Sequence, residues 1–202
     1  MKVPNIVQHM VVVIGLAVAA GAGAADAPKK DAPPMDDKAA MEAMAKAAAP
    51  GDAHKKLEPL AGSFEVKSKS WMDPSKPPEE TTGSTTRKWI LGNRYLQEDY
   101  TGSFMGQPFS GMGIQGYDNV TKHYVSTWMD TMGTGIMNST GTLSGKTIKF
   151  NGTMVDPVSG KSGKYTMNLV IADNDHHSLD MWGPGPDGKN VKWMELSYTR
   201  KK

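Results

Sequence analysis

Residues 146–171 read KTIKFNGTMVDPVSGKSGKYTMNLVI, and both halves of this stretch alternate apolar and polar side chains. Ile148 and Phe150 alternate with polar residues in the first half, and Tyr165 and Met167 do so in the second. Since successive side chains of a strand point to opposite faces, this period of two predicts two half-buried β-strands. The segment between them contains Pro and Gly and predicts a turn, so the two strands form an antiparallel hairpin.

Comparable strand segments, separated by clusters of Gly, Pro, Asn and Asp, follow one another through most of the chain. The predicted strands lie near residues 63–72, 79–90, 94–104, 108–117, 122–130, 134–142, 146–155, 162–172, 176–182 and 191–200. Their short connections leave little room for helical crossovers, which favours antiparallel pairing of sequential strands. Closing such a sheet removes its exposed edges. We therefore predict an all-β fold, an antiparallel up-and-down barrel of about ten strands, with a two-sheet sandwich as the alternative.

The composition restricts the chemistry that this chain can perform. Its 202 residues include no cysteine, which excludes disulfides, thiol catalysis, iron–sulfur clusters and thiolate zinc sites. Lys and Arg number 23 against 21 Asp and Glu, so we expect no strong attraction to nucleic acid and no nucleic-acid partner. The sequence contains no phosphate-binding loop, dinucleotide fingerprint or hydrolase motif. We expect no cofactor and assign no catalytic residue.

Residues 1–24 have the pattern of a secretory signal peptide. Lys2 provides a positive charge, residues 10–20 are apolar, and residues 22–24 (Ala-Gly-Ala) fit a small-x-small cleavage site. The apolar run is shorter than the roughly 20 residues that a transmembrane helix requires. We therefore predict cleavage after Ala24, a periplasmic or secreted location, and no stable membrane insertion once the signal peptide is removed.

The segment between the signal peptide and the barrel is predicted to be a linker. Residues 25–51 are rich in Ala, Pro and Lys and contain no aromatic residue, which favours a flexible chain with a possible short helix at 36–49. Residues 52–61 predict a second short helix at the barrel base, with Leu57 and Leu60 as its apolar contacts. The folded domain is accordingly predicted to span residues 52–202.

Several sequence motifs within the predicted barrel are similar to those of a known bacterial family. They include Arg87-Lys88-Trp89-Ile90-Leu91-Gly92, Phe104-Met105-Gly106-Gln107-Pro108-Phe109, Gly116-Tyr117-Asp118-Asn119-Val120 and Tyr124-Val125-Ser126-Thr127-Trp128-Met129-Asp130. On these motifs, residues 52–202 resemble the domain of unknown function 1579 family. The resemblance implies a lipocalin-like, calycin-type barrel, and it implies no activity.

A barrel of this size holds either packed side chains or one small ligand in its lumen. Charged and aromatic residues on several predicted strands would line the lumen if their faces point inward: Arg87, Trp89, Arg94, Glu98, Trp128 and Asp130. Such a set suits a small, mostly apolar or amphipathic molecule with a carboxylate or other polar head group. The alternative is a satisfied buried ion pair, or a ladder of charges on the outer surface.

Three other functions are open on the sequence alone. Glu98 and Asp130 would serve as an acid–base pair for hydrolysis if the fold brought their carboxyl groups within about 5–9 Å. His176 and His177 occupy a place broadly similar to that of the axial histidine in related haem-binding barrels, so they are the haem candidates. The third alternative is a structural or interaction protein whose lumen is filled.

Overall fold

The structure is a computed structural model that describes residues 36–202, except residues 74, 157–159 and 186. The predicted signal peptide and residues 25–35 of the predicted linker lie outside the described residues. Ten strands make up most of the described chain: β1 Gly62–Ser70, β2 Glu79–Ile90, β3 Tyr95–Phe104, β4 Gln107–Asp118, β5 His123–Asp130, β6 Met137–Ser144, β7 Thr147–Val155, β8 Ser162–Ile171, β9 His176–Pro184 and β10 Asn190–Arg200.

The ten strands form one closed antiparallel barrel. Each strand pairs with its neighbours in the sequence, and β1 pairs with β10 to close the ring. Burial alternates along the strands; in β1, Phe64 and Val66 are buried while Glu65 and Lys67 are exposed. The buried set of each strand therefore faces the lumen. The predicted up-and-down barrel is confirmed, and the sandwich alternative is wrong.

Two helices and a 3-10 turn precede the barrel: α1 Asp37–Ala48, α2 Asp52–Lys55 and the turn Glu58–Leu60. Helix α1 has no buried residue and is attached to the β4–β5 turn through Asn119. The Asn119 amide donates to the carbonyl oxygens of Ala47 (2.9 Å) and Ala49 (2.8 Å), and so partners carbonyls near the end of the helix. No helix in the described part of the chain has the length and apolar character that crossing a membrane requires.

Helix α2 and the 3-10 turn close one end of the barrel, which we call the base. Leu57 and Leu60 are fully buried there and pack with inner-face residues such as Leu96 and Ile148. Burying one aliphatic side chain contributes about 1.5–3 kcal/mol. These contacts fix the segment that the sequence predicts as a short helix at the barrel base.

Arg200, the last residue of β10, ties the base segment to the barrel wall. Its guanidinium donates to the carbonyl oxygens of Ala61, Pro59 and Asn174, each at 2.8 Å. Gly62 is required beside it, because its φ is +122° and a Cβ there would lie 2.2 Å from Arg200 Nη1. The Arg200 guanidinium, at the end of β10, thus connects this strand to the residues before β1 and to the β8–β9 turn.

Replacing Arg200 with Ala is expected to lower the free energy of unfolding by about 2–4 kcal/mol, because three carbonyl oxygens lose a charged donor. Urea unfolding followed by tryptophan fluorescence measures the change. Arg94→Ala is the matched control, since the Arg94 guanidinium donates only to carbonyls of its own exposed turn; we expect about 0.5 kcal/mol or less. Equal losses in the two variants would contradict the proposed role of Arg200.

In the half of the barrel away from the base, aromatic rings cover glycines of neighbouring strands. A Cβ at Gly111 would lie 2.2 Å from the Trp128 ring, and a Cβ at Gly183 would lie 2.2 Å from the Trp193 ring. The register between β9 and β10 shifts at Trp193, which marks a β-bulge. A bulge re-aims a side chain locally, and this explains why Trp193 and Met194 are both apolar although they are adjacent.

Candidate ligand site in the barrel lumen

The inner wall of the barrel carries an unusual number of buried polar side chains. They lie on seven of the ten strands: Ser68, Ser70, Thr85, Arg87, Glu98, Gln115, Ser126, Ser139 and His177. Burying a polar group is unfavourable unless it finds a hydrogen-bond partner. The partners of these residues therefore decide whether the lumen is a packed core or a site.

Arg87 and Glu98 form a buried ion pair across strands β2 and β3, where they stand directly opposite each other. Arg87 Nη2 donates to Glu98 Oε1 at 2.8 Å, and the two side chains are only 1% and 7% exposed. The Thr85 hydroxyl donates to the same carboxylate oxygen at 2.9 Å. Burial opposes the charge on Arg87, but Glu98 and Tyr198 together outweigh burial and raise the Arg87 pKa. The pair is thus ionised inside the barrel.

His177 extends this network from the opposite side of the barrel closure, on β9. Arg87 Nη1 donates to His177 Nε2. The imidazole stacks on the Tyr198 ring with a centroid distance of 4.2 Å, and Phe64 meets it edge-on at 4.6 Å. Burial, and then the charge of Arg87, lowers the pKa of His177 to about 2, so the ring is neutral. Burial also raises the pKa of Tyr198 far above its usual value.

Four buried polar atoms on the inner wall have no hydrogen-bond partner within the described chain. They are Arg87 Nε, His177 Nδ1, Gln115 Oε1 and Ser139 Oγ. Each belongs to a side chain that is more than nine-tenths buried. Unpartnered groups of this kind are rare in folded proteins and mark places where a bound molecule can supply the missing hydrogen bond.

Of the six lumen candidates from the sequence, the fold joins Arg87 with Glu98 and Trp128 with Asp130. The Trp128 indole donates to Asp130 Oδ2 at 2.8 Å, while Asp130 Oδ1 accepts from the Met132 amide at 2.9 Å. These two residues lie at the end of β5, away from the base. They form part of the barrel wall at the end opposite the base and do not belong to the network of Arg87, Glu98 and His177.

Trp89 and Arg94 lie elsewhere. Trp89 packs with the base cluster, and its indole donates to Glu58 Oε2 at 2.8 Å, so it helps hold the 3-10 turn. Arg94 lies in the turn before β3 rather than on the strand, and it donates to the carbonyl oxygens of Leu91 and Gly92. Alternation along a strand predicts which side chains share a face of the sheet, but it does not predict the residue at which the strand begins.

The arrangement gives little support to hydrolysis by Glu98 and Asp130. Strand β4 lies between their strands, which puts the two backbones about 10 Å apart. Each carboxylate is also engaged, Glu98 by Arg87 and Asp130 by Trp128. A general acid or base has to reach its substrate, and both groups are held by protein donors instead.

The haem candidates are arranged in different ways. His176 is exposed, and its Nδ1 lies 3.1 Å from an Asp173 carboxylate oxygen in the β8–β9 turn. His177 is buried, and Arg87 occupies its Nε2, which is the nitrogen that would face an iron from the tip of the ring. Among the described residues, no group of three or more His, Cys, Asp and Glu side chains could hold a metal ion.

Sequence reasoning missed Thr85 and Gln115, although each was within its reach. Thr85 shares a strand face with Arg87, and Gln115 shares one with Gly111 and Gly113 on β4. A neutral polar residue in a strand carries no sequence signal of burial, so neither position is predicted from the pattern alone. The partnership of His177 with Arg87 joins β9 to β2, which needs the closed barrel.

The end of the barrel opposite the base has an apolar rim. Large exposed apolar side chains lie in its loops or at its strand ends: Met72, Met105, Met132, Ile136 and Val155. A shallow depression of about 320 Å³ lies beside the rim, against Gly111 and Asp130. A second depression of about 530 Å³ lies against β1, β2 and β3, and its lining combines polar side chains of their outer faces with the buried Val66.

With this geometry established, the chain can be compared with known proteins. Residues 49–200 match the model of a family described as "Protein of unknown function (DUF1579)". The chain belongs to this family. The resemblance inferred from the motifs is confirmed, and the match covers nearly the whole of the DUF1579 domain predicted at 52–202. A comparison with curated proteins gives no match.

Two solved structures share the fold of this DUF1579 barrel. Rv2717c from M. tuberculosis is 17% identical with a TM-score of 0.56, and the alignment covers 76% of this chain and all of that one. The S-type phycobiliprotein lyase CPES from Guillardia theta is 12% identical with a TM-score of 0.52, covering 74% of this chain and 93% of that one. At such identities the likeness shows the fold alone, a lipocalin-like barrel.

Proposed function

We propose that this DUF1579 protein binds a small amphipathic molecule in the lumen of its barrel. The observation that supports it best is the polar inner wall, on which Gln115, Arg87 and His177 each keep a buried polar atom without a protein partner. Leaving such a group unpaired costs about 1–3 kcal/mol, and a ligand that pairs with it recovers that cost. A simple packed core would carry apolar side chains at these positions.

The asymmetry of the two barrel ends also supports this proposal. The base is closed by Leu57 and Leu60, whereas the opposite end is ringed by exposed apolar side chains. Exposed apolar groups at this end favour the approach of an apolar molecule, because contact removes both surfaces from water. The aromatic rings of Trp128 and Trp193 would then flank the apolar body of the ligand.

Native mass spectrometry of the protein purified from its own host tests the proposal. We expect a species heavier than the polypeptide, and a Gln115→Leu variant should reduce its abundance about tenfold, since one hydrogen bond in the lumen is worth about 1.4 kcal/mol. Gln97→Leu is the matched control, because Gln97 lies on the adjacent strand with its amide on the exposed Asp99 carboxylate.

A bare polypeptide in every preparation, together with a Gln115→Leu variant that is more stable than the wild type, would contradict ligand binding. That pair of results would instead favour the structural or interaction alternative with a filled lumen. A hydrolytic role is not favoured by any observation on Glu98 or Asp130.

We also propose that the protein is exported to the periplasm or secreted. The proposal rests on the signal-peptide pattern of residues 1–24. Fractionation of the native host combined with N-terminal sequencing tests it, and the mature chain should begin at Ala25. Recovery of the protein in the cytoplasm with its N-terminal segment intact would overturn it.

A further inference from the structure

The hydrogen bond from Arg87 determines which nitrogen of His177 carries the proton. A guanidinium can only donate hydrogen bonds, so His177 Nε2 must be the acceptor in this contact. A neutral imidazole has one acceptor nitrogen and one N–H donor. The proton of His177 therefore lies on Nδ1, which is the less common tautomer of histidine in solution.

This tautomer leaves two N–H donors unpaired on the two side chains that this hydrogen bond joins. His177 Nδ1–H has no acceptor within the described chain, and neither has Arg87 Nε–H. The two side chains are hydrogen-bonded to each other, and both residues are buried. An oxygen atom with free lone pairs would supply the hydrogen-bond acceptor that each of these N–H groups is missing.

The local charge indicates which oxygen fits best. Arg87 carries one positive charge, Glu98 one negative charge, and His177 is neutral, so the cluster has no net charge. A ligand carboxylate would share Arg87 with Glu98 and leave one excess negative charge buried. A carbonyl or ether oxygen accepts the same hydrogen bonds without adding charge.

We infer that His177 Nδ1–H and Arg87 Nε–H form a head-group site for a neutral hydrogen-bond acceptor, such as the carbonyl of an ester, ketone or amide. This inference rests on the proposed function, ligand binding in the lumen, and makes it more specific. It replaces the carboxylate head group that the sequence alone allows with an uncharged one.

The tautomer is tested first, and without a ligand. Long-range proton–nitrogen correlation spectra of the full chain at pH 7 should show His177 with a protonated Nδ1 and an acceptor-type Nε2. His176, which is exposed, serves as the internal control. A protonated Nε2 on His177 would overturn the inference regardless of any binding result.

Affinity for two probes of equal chain length tests the ligand class. We expect methyl decanoate to bind at least about tenfold more tightly than decanoate at pH 8, and to shift the His177 Nδ1 resonance while leaving His176 unchanged. Equal or tighter binding of decanoate would overturn the inference and leave lumen binding intact. Failure of both probes to bind, with the Nδ1 resonance unchanged, would count against the head-group site and the proposed function together.

Discussion

Replacing Glu98 with Leu while Arg87 is kept should lower the free energy of unfolding by about 3–5 kcal/mol, because the guanidinium is left charged and unpaired inside the barrel. Arginine cannot escape this penalty by losing its proton, since its pKa stays above the accessible range. Denaturant unfolding monitored by circular dichroism measures the loss. The double variant Arg87→Met with Glu98→Leu should recover most of it, because no buried charge remains.

The exposed ion pair between Lys69 and Glu80 provides the matched control. It joins two neighbouring strands at 3.5 Å, and its side chains are largely exposed to solvent. Glu80→Leu should therefore change the free energy of unfolding by about 1 kcal/mol or less. A double variant at Arg87 and Glu98 that is no more stable than Glu98→Leu alone would show that unpaired charge is not the cause.

Lowering the pH from 6.5 to 5 should destabilise the wild-type protein by about 2 kcal/mol through His177 alone. The pKa of His177 is about 2 in the folded state and about 6.5 in the unfolded chain. Between these values only the unfolded chain binds the proton, so each pH unit of acidification costs about 1.4 kcal/mol. The contribution of neutral His177 to the free energy of unfolding is fully present above pH 6.5. Burial also lowers the pKa of His54, which adds a loss of the same sign.

A His177→Gln variant separates this contribution, because glutamine can accept the hydrogen bond from Arg87 and does not titrate. Its free energy of unfolding should fall less steeply between pH 6.5 and 5 than that of the wild type, by about 1.4 kcal/mol per pH unit. His176→Gln, at the neighbouring exposed position, is the control. A slope unchanged in His177→Gln would mean that His177 takes up a proton in the folded protein.

The fold could be predicted in detail because the barrel depends on a local pattern. Alternation located all ten strands, and strand β2 begins and ends where the sequence placed it, at residues 79 and 90. The largest shift is at β6, which was predicted from residue 134 and begins at Met137. Ile136 precedes it as an exposed residue of the loop.

The candidate site was predictable only in part, because its contacts depend on which strands become neighbours. Alternation puts Arg87 and Glu98 on strand faces that line the lumen only if they point inward, and the register of β2 against β3 sets the two residues opposite each other. The period of two does not indicate how far along the barrel axis a side chain lies. It therefore groups Trp89 with the lumen candidates, although Trp89 packs against the base segment. The contact between Arg87 and His177 bridges 90 residues of sequence, which no local pattern encodes.

The pairing of β1 with β10 has a consequence for how this protein is made. Every other neighbouring pair of strands is close in sequence, but the seam that closes the barrel joins Phe64 to Arg200. A growing chain can form hairpins one after another, yet its first strand has no second partner until the last strand has been synthesised. Pairing across such a sequence separation is slow. We therefore expect closure of this seam to be the last folding step, with the free edge of β1 exposed to chaperones or to other unfolded chains until the seam closes.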